Sequence, residues 1–113
     1  MNYYDLTEEN GVVLVDLLQK RATMEVSKEF KEAFLNLIET SPSKNFILDF
    51  GKVEFVDSSF LGAIVSGLKK ITALKGDIKI LGLQPPVRTM FELTRLYKVF
   101  EIFENKNDAI ASY

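Results

Sequence analysis

Residues 53–76 read VEFVDSSFLGAIVSGLKKITALKG, and the pattern changes partway along. Val53 to Val56 is β-branched and aromatic, the composition of an extended segment. Asp57-Ser58-Ser59 then supplies side chains that accept hydrogen bonds from the unpaired amides of a helix start. From there Leu61, Ile64, Val65, Leu68 and Ile71 share one face of a helical wheel, while Lys69 and Lys70 project away from it. Gly76 stands where a C-terminal cap belongs. The stretch is a strand, a capped turn and an amphipathic helix, the repeating unit of an α/β fold.

The flanking sequence repeats that unit. Upstream, Phe46 to Phe50 (FILDF) is a nearly continuous apolar run, which suits a strand covered on both faces. Before it, Val26, Phe30, Ala33, Phe34 and Leu37 recur at helical spacing between Met24 and Thr40, and Ser41-Pro42-Ser43 stops that helix. Val12 to Leu18 reads as a strand with Val13, Val15 and Leu17 on one face and Asp16 on the other. The Asn10-Gly11 turn signal pairs it with a shorter strand around Tyr3 to Leu6. Downstream, Asp77 to Leu81 alternates as a strand, and Pro85-Pro86 opens a helix with Val87, Met90, Phe91 and Leu93 to Leu96 as its apolar stripe. Val99 to Phe103 reads as the last strand, and Asn107 to Ser112 as a terminal helical turn or two. The expected fold is α/β: one domain over residues 1–113, with a mixed, mostly parallel sheet of four to five strands packed with four helices.

Composition narrows the chemistry. The 113 residues contain no histidine, cysteine or tryptophan. Histidine triads, thiol nucleophiles, Cys/His zinc sites and disulfides are therefore excluded. No P-loop or dinucleotide fingerprint occurs, and no lysine or carboxylate pairs convincingly with a serine as a nucleophile would require. The expectation is a binding protein, not an enzyme, with no catalytic residues, no metal and no cofactor. The 14 basic and 16 acidic residues are interspersed, which argues against nucleic-acid binding. The opening MNYYDLTEENG lacks the charged flank and apolar core of a signal peptide, and the longest uncharged stretch, Ser58 to Leu68, is too short to span a bilayer. A cytoplasmic protein without membrane insertion is expected.

Asp57-Ser58-Ser59 admits two readings. The simpler is helix capping alone. Gly62, Ala63, Ser66 and Gly67 make the following helix unusually small-sided, and glycine inside a helix costs about 1 kcal/mol relative to alanine. Such glycines imply close approach by another backbone, by the sheet or by a partner. The second reading uses the helix start itself: its free amides and positive dipole end tolerate a dianion, so a serine there can carry a phosphate. Phosphorylation would add about −1.5 to −2 charges, felt mainly by a partner docked on that surface.

The segment FVDSSFLGAIVSGLKKI resembles the hydrophobic-Asp-Ser-Ser/Thr-Gly-Leu-Gly signature of STAS domains, and within them of bacterial anti-sigma factor antagonists. LGLQPPVRTMFEL and LTRLYKVFEIFENKNDAIAS are similar to the same family's later elements, so the resemblance spans about residues 12–112. It implies a STAS-like fold and a regulatory cycle. The unphosphorylated antagonist binds an anti-sigma factor that is a serine kinase, and so frees a sigma factor. Phosphorylation of the serine after the aspartate, Ser58 here, ends that binding, and a serine phosphatase resets it. Ser59 is the alternative acceptor. By the same resemblance Asp57 positions the acceptor and Ser59 caps the helix, with Gly62 and Thr23 beside the site.

Two departures stand out. Phe60 replaces the family's glycine after the serine pair; on the wheel it lies at the edge of the buried face, partly exposed, as a contact for a partner, with simple packing or a block to a kinase that expects glycine as the alternatives. Upstream, Gln19-Lys20-Arg21-Ala22-Thr23 replaces a Gly-x-hydrophobic-Asp segment, putting Thr23 in place of a carboxylate. Lys20 and Arg21 make that neighbourhood more basic, either to stabilise a phosphate or as a solvated loop. The competing reading keeps the fold and drops the switch: a STAS subunit of a stress-signalling assembly or of a lipid ABC transporter complex.

Overall fold

A computed structural model describes residues 2–113. The chain enters through a hairpin, β1 (Tyr4–Glu9) and β2 (Val12–Leu17), whose register runs from Tyr4 opposite Leu17 to Glu9 opposite Val12. Asn10 and Gly11 both take positive φ, 53° and 77°, the geometry of the tight primed turn that matches strand twist. The first strand thus extends to Glu9, past the expected Leu6. Next come β3 (Arg21–Ala22), α1 (Met24–Thr40), β4 (Asn45–Asp49), β5 (Phe55–Val56), α2 (Ser58–Ala73) and β6 (Asp77–Leu81). The chain finishes with α3 (Pro85–Leu93), a 3-10 turn at Leu96–Lys98, β7 (Ile102–Phe103) and α4 (Lys106–Ala111).

Five strands form the main sheet in the order β1-β2-β4-β6-β7, antiparallel at the hairpin and parallel elsewhere. The four-helix, mostly parallel α/β architecture read from the sequence is present. β3 and β5 form a separate two-stranded parallel pair, Arg21 beside Phe55 and Ala22 beside Val56. This pair continues the chain beyond the carboxyl ends of β2 and β4.

Alternation sorts the strand residues between two apolar layers. Val13, Val15, Leu17, Phe46, Leu48, Ile78 and Ile80 face α1, α2 and α3 in the larger core. Val12, Leu14, Ile47 and Leu81 face the other way, under Ala109 and Ile110 of α4. Both faces are covered, as the apolar run at Phe46–Phe50 requires. Phe34, Phe30 and Phe60 stack in a column, with centroids 5.4 and 4.5 Å apart, and lock α1 to α2.

Two expectations fail near helix ends. α2 closes with Lys75, not Gly76, in the left-handed conformation (φ 64°); the Gly76 amide bonds the Ile71 carbonyl at 2.8 Å. Gly76 is needed for a different reason: a Cβ there would lie 2.2 Å from the Lys44 carbonyl oxygen. The last strand is also shorter than Val99–Phe103. Arg95, at φ 59°, ends α3 and starts the 3-10 turn, which leaves Leu93 and Val99 exposed and confines pairing to Ile102–Phe103.

Candidate functional site

The site is built where β5 runs into α2. β5 pairs with β3, and one residue further on the Asp57 amide donates to the Ala22 carbonyl (3.3 Å). This ties the start of α2 to the segment that opens α1. Asp57 is the N-cap of α2, in extended conformation, and its Oδ1 accepts from the Phe60 amide at 3.0 Å. Its Oδ2 accepts from the Met24 amide, the first of α1, at 2.8 Å. One carboxylate therefore caps two helices. Thr23, the N-cap of α1, makes no side-chain cap bond of its own.

Ser58 and Ser59 follow as the first two residues of α2, both exposed. The Asp57 carboxylate bonds backbone amides, not either hydroxyl, and the capping expected of Ser59 belongs to Asp57. Thr23 sits half-buried between Ala22 and Met24, whose backbone groups are the two that meet Asp57. The structure thus brings Thr23, Asp57, Ser58 and Ser59 together. It removes Phe60 from the surface. Phe60 is fully buried and stacked on Phe30, because the third helical position points back over the core.

The two α2 glycines differ. A Cβ on Gly67 would lie 2.4 Å from the Phe34 ring, so a close approach is present there, made by a side chain of α1 and not by the expected backbone, sheet or partner. Gly62 is exposed and a Cβ on it would meet nothing within 4 Å, so the fold does not demand it. Met24, whose amide meets Asp57, is 70 % exposed, and Phe55, in the strand that leads to the serines, is 41 % exposed; neither is singled out by the sequence. Periodicity could not single them out, because both sit at element boundaries. The Arg21 guanidinium lies over the Phe55 ring, 4.7 Å from its centroid, so it is engaged with an aromatic face. Among the described residues no group of His, Cys, Asp and Glu is arranged to hold a metal, and no helix is long and apolar enough to cross a membrane.

Two exposed hydroxyls therefore stand at a helix start beside a carboxylate whose two oxygens are already committed to backbone amides. The fold around it is that of a known class of α/β domain. The chain matches the STAS domain over residues 3–109 and belongs to that family. It is 26% identical over 109 residues to the anti-sigma F factor antagonist of Paenibacillus polymyxa, covering 94% of this chain and 90% of that protein. A crystal structure described as a putative anti-sigma factor antagonist from Thermotoga maritima superposes with a TM-score of 0.86 at 23% identity, covering 96% of this chain and 92% of the other. The Bacillus cell fate determinant SpoIIAA in its phosphorylated form superposes with a TM-score of 0.72 at 18% identity, covering 96% and 97%.

Proposed function

We propose that this chain is an anti-sigma factor antagonist, a binding protein and not an enzyme, whose residues 1–113 act as one cytoplasmic domain. Unphosphorylated, it binds an anti-sigma factor that is a serine kinase, and so regulates transcription by a sigma factor. The kinase phosphorylates Ser58 and the complex is lost; a serine phosphatase restores it. In the transfer step, Ser58 Oγ forms a bond to the γ-phosphorus of ATP, the bond from that phosphorus to the bridging oxygen breaks, ADP leaves, and the hydroxyl proton passes to a base of the kinase. This chain needs to supply only the hydroxyl, consistent with its lack of histidine and cysteine.

The observation that carries this reading is the exposed Ser58 at the first position of α2, beside Asp57. A dianion there meets the positive end of the helix, so the domain tolerates it. The relative named for antagonism of sigma F's inhibitor, and the existence of a phosphorylated form of SpoIIAA, support the same direction. The test is incubation with the candidate kinase and ATP, with the acceptor mapped by mass spectrometry. Ser58→Ala abolishes incorporation and keeps partner binding, while Ser58→Asp weakens binding. Phosphate on Ser59 alone moves the acceptor by one residue, and phosphate only outside this pair overturns the reading.

A further inference from the structure

We propose that Asp57 couples the charge on Ser58 to the first turn of α1, so that a phosphate on Ser58 loosens the start of that helix. The inference rests on the reading of Ser58 as acceptor and adds how its state reaches a second element. The amide hydrogen of Met24 has one acceptor, Asp57 Oδ2 at 2.8 Å, which belongs to the cap of the other helix. Nothing in its own cap substitutes, because the Thr23 side chain makes no cap bond and only its carbonyl holds the next amides, of Val26 and Ser27, both at 3.1 Å.

The two bonds of Asp57 differ in what maintains them. Phe60 is three residues away on the same helix, so chain connectivity keeps its amide within reach. Met24 is 33 residues away, and the contact survives only while the carboxylate points across to α1. A phosphate on the adjacent residue repels the carboxylate and turns it away from α1. The local bond is retained and the long-range bond is lost. Met24, 70 % exposed, is then presented from a frayed turn instead of a fixed one. The switch acquires a mechanical arm: a partner reading α1 and α2 together senses the phosphate at both.

Hydrogen exchange at single amides, read by NMR, tests this on a chain carrying phosphoserine at position 58, installed during synthesis so that no kinase is needed. Exchange at Met24 accelerates about tenfold, the scale of a lost cap, while Phe60 stays protected. Asp57→Asn, which keeps one carbonyl acceptor and loses the other, reproduces the Met24 effect without phosphate. Thr23→Asn gives α1 its own cap, so Val26 and Ser27 keep their protection in the phosphorylated chain. Unchanged Met24 exchange with phosphoserine present overturns the coupling, as does loss of Phe60 protection before Met24. Should Asp57→Asn fail to fold, the phosphoserine chain alone decides. Failure of the kinase reading shows separately, as absence of phosphate at Ser58 in the mass-spectrometric mapping.

Discussion

Phe60 and Gly62 lie two positions apart on α2 and have opposite surroundings. Phe60 is enclosed and stacked 4.5 Å from Phe30, so Phe60→Ala leaves a cavity at the α1–α2 contact. A loss of about 3–5 kcal/mol is expected, measured by urea denaturation. Its departure from the family's glycine thus fills the core and does not mark a partner contact. Gly62 has open space where a side chain would go, so Gly62→Ala raises stability by about 0.4–1 kcal/mol. If that substitution also weakens partner binding, the face beside Ser58 is the docking face; unchanged affinity places the partner elsewhere. Gly67→Ala behaves oppositely in stability, since the new methyl would lie 2.4 Å from the Phe34 ring; a loss of about 1–3 kcal/mol is expected on the same denaturation curve. Three residues in one helix give three signs or magnitudes, and the sequence alone assigns them the same small-or-apolar label.

At the scale of elements, the long periodic pieces were legible, α1 and β6 at both ends, and the breaks that close α2 and α3 were not. α1 and α2 follow from apolar spacing, and β2, β4 and β6 from short apolar runs. The breaks are different. Left-handed turns fall on Lys75 and Arg95, residue types that do not advertise positive φ, so Gly76 drew the cap and VFEIF read as a strand. α4 is held by contacts that no local pattern encodes. Lys79 of β6 is buried and donates to the Ser112 hydroxyl and carbonyl at 2.7 and 3.0 Å, under the Tyr113 ring. The Tyr113 hydroxyl reaches the carbonyls of Phe46 (2.6 Å) and Asp77 (2.9 Å). Burial, then the nearby Asp77 charge, raises the Tyr113 pKa above the ordinary 10.0. The folded state therefore keeps this proton to higher pH than the unfolded chain does. The stabilisation is complete below about pH 10 and is lost as pH rises through the folded value. The urea midpoint should fall between about pH 8 and 11, and fall less in Tyr113→Phe, which costs about 1 kcal/mol at neutral pH for the missing hydrogen bond.

Across the whole molecule, the two apolar layers divide the labour. α1, α2 and α3 cover one face of the sheet, and α4 covers the other through Ala109 and Ile110. The serine pair was legible because its residues are contiguous and their chemistry is local to a helix start. The Met24 amide was not, because it is a backbone group brought in from 33 residues away by the β3–β5 pairing. That pairing places the starts of α1 and α2 side by side, beyond the carboxyl ends of β2 and β4, while the α4 layer lies on the opposite face. A partner that recognises Ser58 must therefore cover elements from both halves of the sequence and none of the C-terminal layer. Hydrogen exchange on the complex with the cognate anti-sigma factor should show added protection around residues 22–28 and 55–66, and none over 106–111. The protein carrying phosphoserine at position 58 should lose both protected regions together, because the complex that covers them no longer forms. Protection confined to α4, or to one of the two segments alone, would mean that the partner docks on a surface other than the shared helix start.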